Sequence, residues 1–152
     1  MPTLEQVLEA YPQQVRLIFM QYPLSFHQNA KPAALASLAA QRQGKFWPMH
    51  DMIFQNQANL KNAQGEYRFS EFAKTLGLNV AKFDTDMKDP ALEKMIADQM
   101  KAGADAQVTG TPALYLNGRK VHDRSVDGLK KMVEAELASK APKGGSAASK
   151  SN

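Results

Sequence analysis

Apolar positions at Leu4, Val7, Leu8 and Tyr11 lie on one helical stripe, with Pro2 suited to a first turn and Thr3 to an N-cap. Pro12 ends that helix, because the residue before a proline is pushed out of the helical region. The pattern then changes. "VRLIFMQY", residues 15–22, is β-branched, aromatic and almost continuously apolar, which predicts a buried strand of the parallel-sheet kind. From residue 30 to 107 the helical period returns. "NAKPAALASLAAQRQG" predicts an alanine-rich helix closing at Gly44, and "KFWPMHDMIFQNQ" puts Phe46, Met49, Ile53 and Phe54 on a second apolar face. Pro48 falls in that helix's first turn, where a missing N–H costs nothing. Ser70 opens a short helix closed by Gly77, and another spans 80–87. Asp89-Pro90 is an N-cap with proline at the first helical position of a helix to about Ala104.

Beyond residue 108 the β pattern reappears. "ALYLNGRKVH" is two short runs joined by Asn117-Gly118, a strong hairpin signal. Ser125 caps an amphipathic helix through Val126, Leu129, Met132, Val133 and Leu137. From Ala141 the chain is low-complexity and polar, which predicts a disordered tail over 141–152. The elements give an α/β fold: a core of 2–29 and 108–140, and an inserted all-helical lobe over 30–107.

Composition narrows the chemistry. The chain has 152 residues, no cysteine and a net charge of +4, with Lys140, Lys143 and Lys150 in or beside the tail. Without cysteine there is no disulfide, no thiolate and no cysteine-ligated metal in this chain. The near-balanced folded part argues against nucleic acid as a partner. No apolar run reaches the roughly 20 residues that span a bilayer, and no signal peptide is visible. His27, His50 and His122 lack paired spacing, so no metal site and no cofactor is expected. There is no G-x-S-x-G, so Ser25, Ser70 and Ser125 read as a loop residue and two caps. Met49, Met52, Met87, Met95, Met100 and Met132, at helical spacing beside Phe and Leu, read as core filling.

Thr111-Pro112 stands directly ahead of a short apolar run, and proline, with no N–H for a ladder, belongs at a strand's first residue. With "PTLEQVLEAYPQQVRLIFMQYPLSFH", "AALASLAAQRQGKFWPMHDMIFQNQ" and "DQMKAGADAQVTGTPALYLNGR", this loop resembles the DsbA-like branch of the thioredoxin-fold proteins over residues 2–138. The resemblance implies a thioredoxin-like core with an incomplete sheet and an inserted helical lobe. It implies a cis-proline loop at Gly110, Thr111 and Pro112 that contacts an extended peptide. It also implies a periplasmic or exported setting and disulfide exchange with exported proteins. The family's central strand and Cys-x-x-Cys are missing, as after truncation on the N-terminal side, so the chain is expected to be redox-inactive. The alternative is a non-enzymatic peptide-binding or strand-sharing module, because the lost strand would leave 15–21 and 113–117 with open edges. Direct closure of those two edges is one repair, and a homodimer joined through them is the expected one.

Overall fold

The computed structural model describes residues 2–140; the tail expected over 141–152 lies outside the described residues. The chain forms two compact units, one of residues 2–19 with 110–140 and one of Met20–Thr109. Residues 20–29, expected with the sheet, are bonded into the helical unit instead. Gln21 donates its N–H to Gln99 Oε1 at 2.6 Å and its side-chain amide to Ser37 Oγ at 2.8 Å. A buried amide keeps such partners, because leaving them unmade costs the group its full desolvation penalty.

The smaller unit is built from α1 (Pro2–Ala10), a hairpin of β1 (Tyr115–Leu116) and β2 (Arg119–Lys120), and α7 (Val126–Lys140). Tyr115 pairs with Lys120 and Leu116 with Arg119, antiparallel. Val121 N–H donates to Leu114 O at 2.8 Å, carrying the pairing one step past Tyr115 and Lys120. The two-residue turn is Asn117-Gly118 with φ of 48° and 80°, the positive pair that a type I′ turn demands and glycine supplies without strain. Val7, Val121, Leu129 and Val133 form the core, with Leu4, Tyr11, Val15, Leu114, Leu116 and Met132 packed around them. Ser125 Oγ accepts the Gly128 N–H at 3.0 Å, the cap expected at the start of α7.

The strand expected over 15–22 is not formed. The segment is extended but joins no ladder among the described residues, where β1 pairs with β2 alone. Nor is it closed directly onto the hairpin. The physical reason is that a strand, unlike a helix, takes its hydrogen bonds from a neighbour, and the described residues place no strand beside this one.

The larger unit is helical: α2 (Ala30–Gln41), α3 (Phe46–Gln55), α4 (Phe69–Thr75), α5 (Val80–Asp86) and α6 (Pro90–Asp105), with a 3-10 turn at Gln57–Asn59. Asn79 caps α5 by accepting the Lys82 N–H, and Asp89 caps α6 by accepting from Ala91 at 2.8 Å. The alanines of α2 let its neighbours approach closely: Ala36, Ala39 and Ala40 are fully buried against a core that includes Met49, Phe69, Phe83 and Leu92. Asp86, itself buried, is met by Arg42 at 2.8 Å and by Lys82, while Arg42 also reaches Asp89 at 2.7 Å.

Candidate functional site

Gly110, Thr111 and Pro112 follow the end of α6, where Gln107 takes a positive φ of 56° and Val108 N–H returns to Gly103 O. The three residues are exposed, and the Thr111–Pro112 peptide bond is cis. Proline has no N–H to give. The main chain of Gly110 and Thr111 takes part in no hydrogen bond among the described residues. An ideal Cβ at Gly110 would meet nothing within 4 Å, so the approach to the loop there is open. The loop thus offers exposed main-chain donors and acceptors with no acid, base or nucleophile of its own. That is the equipment of a surface that pairs with an extended backbone, since such pairing draws its affinity from main-chain hydrogen bonds.

Immediately downstream the loop is braced. Glu136 of α7 accepts from Asn117 Nδ2 at 3.0 Å and from Arg119 Nη1 at 2.9 Å. These two contacts, the Asn117 bond foremost, hold its carboxyl below the usual carboxylate range. Tyr11 at the end of α1 donates its hydroxyl to Glu134 Oε1 at 2.8 Å, so α7 anchors both the first helix and the hairpin.

The histidines are placed apart in role. His50 is buried on α3, with Nδ1 2.9 Å from Asp51 Oδ1 and its ring 4.6 Å from that of Phe54. His27 packs its ring 4.5 Å from Phe26. Among the described residues no group of three His, Cys, Asp or Glu side chains is arranged to hold a metal.

Two features of the larger unit have no counterpart in the sequence expectations. One is the Gln21–Ser37–Gln99 polar network, whose members lie far apart in the chain. The other is an open depression of about 380 Å³ lined by Met20, Ala91, Met95, Gln99 and Ala102, rimmed by Lys94 and Asp98. Its two methionines depart from the sequence expectations: Met95, expected as core filling, and Met20, expected in a buried strand, are both exposed, whereas Met49 is fully buried.

Comparison with known proteins bears on this geometry. The model of the DSBA-like thioredoxin domain matches residues 3–134. The chain belongs to that family. A DsbA-like fold is also what the solved structures show. A thioredoxin-like oxidoreductase from Silicibacter pomeroyi superposes with a TM-score of 0.71 at 23% identity, covering 91% of this chain and 77% of that one. The thiol-disulfide exchange protein alpha-DsbA2 from Wolbachia pipientis gives 0.68 at 21% identity, covering 89% and 72%. At these identities the likeness is one of fold.

Curated relatives of the DsbA-like chain carry a different name. It is 32% identical over 140 residues to the Na(+)/H(+) antiporter NhaA 3 of Salinispora tropica, a match to 91% of this chain and 21% of that protein. The antiporter NhaA of Herminiimonas arsenicoxydans matches at 31% identity over 98 residues, 15% of its length. The chain therefore spans about a fifth or less of the curated relatives it matches. None of its described helices is long and apolar enough to cross a membrane.

Proposed function

We propose that this chain is a DsbA-like domain that performs no thiol–disulfide exchange itself and presents the loop Gly110–Pro112 to an extended peptide. One observation carries the redox half: none of the 152 residues is a cysteine. Disulfide exchange proceeds by thiolate attack on a disulfide sulfur through a mixed disulfide. No other side chain supplies that nucleophile, and no pH restores it. The binding half is supported by the exposed, unbonded main chain of Gly110 and Thr111 and by the brace that Glu136 places on the hairpin behind them. Family membership favours a periplasmic or exported setting. Ion transport is left with the antiporter relatives, in which the matched stretch is a minor part.

Purified chain is expected to give insulin reduction and thiol oxidation at the buffer rate from acid to alkaline pH. Turnover above that rate, in a preparation free of contaminating oxidoreductase, overturns the redox half. Titration with a cysteine-free extended peptide is expected to move the backbone amide resonances of Gly110, Thr111 and Ala113 first. Shifts confined to other regions, or none, overturn the binding half.

A further inference from the structure

The run Arg16–Met20 has the side-chain arrangement of a sheet strand without the sheet. Leu17 and Phe19 are half-buried and Gln21 is buried, while Arg16, Ile18 and Met20 point outward, Ile18 at 65% and Met20 at 51% exposure. This is the period-two alternation of a strand with one face inward. Main-chain groups alternate in the same way, between the two edges. The N–H of Gln21 is taken by Gln99 Oε1, which assigns the odd-numbered residues to that edge. The main-chain groups of Arg16, Ile18 and Met20 therefore face the other edge, and among the described residues they make no hydrogen bond. Unpaired edges of this kind recruit a further strand.

We propose that the edge is filled by the same segment of a second copy, paired antiparallel about a two-fold axis at Ile18. A two-fold contact uses one patch on both chains and closes on itself, so it consumes both open edges without propagating. The register follows from three constraints. Opposed residues must share a face, or every side chain would be turned over. Pairing must stop at Met20, since the next N–H is already bonded to Gln99. The hydrogen-bonded pairs must use the even-numbered residues, whose groups face the open edge. Of the registers that meet all three, one uses Arg16, Ile18 and Met20 together: Ile18 opposite Ile18, Arg16 opposite the second copy's Met20, and Leu17 opposite its Phe19. Shifting the axis to Leu17 would set Met20 opposite Gln14, whose N–H is already given to Tyr11 O.

Charge agrees with the direction. A parallel pairing in register would set Arg16 directly beside Arg16, an unfavourable like-charge pair. The antiparallel one separates the two guanidinium groups by four residues, about 14 Å along the strand. That exceeds the screening length of about 8 Å at physiological salt. It also sets the two exposed Ile18 side chains beside each other and each Met20 beside the stem of an Arg16, lateral contacts that the single chain lacks.

The absence of native cysteine makes the test site-specific. Ile18→Cys places the only thiol of each chain on the axis. Hydrogen-bonded antiparallel partners have Cα atoms about 5.5 Å apart, within disulfide reach. At micromolar protein, with diamide accepting the two electrons of the dithiol, Ile18→Cys is expected to convert to a covalent dimer. Gln64→Cys, in an exposed loop, is expected to stay largely uncrosslinked. Light scattering of the unaltered chain is expected to give twice the 16.8 kDa of the monomer. Ile18→Lys and Ile18→Glu, each alone, are expected to be monomeric, and an equimolar mixture of the two is expected to recover the dimer. Circular dichroism melting checks that each variant is folded, which substitution at an exposed position permits. A sharply melting monomer, a dimer that survives Ile18→Lys, or a failure of the mixed variants to reassociate overturns the proposal. So does a monomer that pairs only with a foreign peptide.

Discussion

The helical unit and the hairpin unit solve the same problem with unequal means. The helical unit buries fifteen residues in one cluster, and each helix satisfies its own main chain. The hairpin unit buries four, and its two strands are two residues each. An isolated two-stranded hairpin is marginal in water, so here the stability rests on α1 and α7 gripping it from Tyr11, Asn117 and Arg119 through Glu134 and Glu136. The difference teaches that helical structure survives the absence of a neighbour and sheet structure does not. Arg16–Met20 keeps the side-chain alternation of a strand and has lost everything in a strand that another strand must provide.

The largest blow to this contrast is struck in the helical unit. Phe83 is fully buried among the residues of α2, α4 and α5. Phe83→Ala is expected to cost about 3–5 kcal/mol, the range for deleting a core aromatic. The measurement is urea unfolding followed by helical dichroism. A loss below about 1 kcal/mol would mean that the cluster is not the stability centre.

A smaller effect sharpens the other side. Gly118 sits at φ 80°, where an L side chain costs about 1–2 kcal/mol. Gly118→Ala is expected to lower protection of the Val121 amide in hydrogen exchange. Amides of α2 and α6 should keep theirs. Equal loss in both units would mean that they unfold as one cooperative body and the contrast is structural only.

The smallest effect is the dependence on pH. Asp86 is held below the ordinary carboxylate range by its bond to Lys82 first and that to Arg42 after it, against the opposing effect of burial. A carboxyl lowered in the folded state stabilises in full above the unfolded value, near 3.9. Its contribution is lost as pH falls through the folded one. Stability is therefore expected to be flat in this respect at neutral pH and to fall below about pH 4. Asp86→Asn should be less stable at pH 7, by about 1–2 kcal/mol, with a shallower acid limb. Thermal melts from pH 2 to 7 decide it, and parallel acid limbs for the two proteins would remove Asp86 from the account.

Much of this architecture was legible from local chemistry. Asp89-Pro90, Asn117-Gly118 and Ser125 mark boundaries that depend only on adjacent residues, and each lies where its capping or turn physics puts it. The helical lobe was readable for the same reason. So was the position of the loop at Gly110–Pro112, which needs only a proline ahead of an apolar run. What failed to be legible depends on partners distant in the chain. "VRLIFMQY" has every residue preference of a strand, but a ladder is a property of two segments. Gln21, Ser37 and Gln99 are ordinary surface residue types until the fold closes around them, and Arg42 meets Asp86 across 44 positions. Lys82 and Asp86, at helical i,i+4 spacing, were the readable part of that knot.

Tyr22 and Val108 mark the two ends of the helical unit, and their link has a consequence for how the chain assembles. The Tyr22 hydroxyl donates to Val108 O at 3.3 Å, and the ring lies so close over Gly103 that a Cβ there would come within 2.6 Å of it. Tyr11 and Glu134, which join α1 to α7, are 123 positions apart. Were the intervening chain slack, closing a loop of roughly ninety residues would cost about 4 kcal/mol of chain entropy. Once 20–109 has folded, its ends are already together, and most of that entropy has been given up in making the lobe. The long insertion then acts as a short loop. The hairpin unit, discontinuous in sequence, then has nearly the topology of a contiguous one.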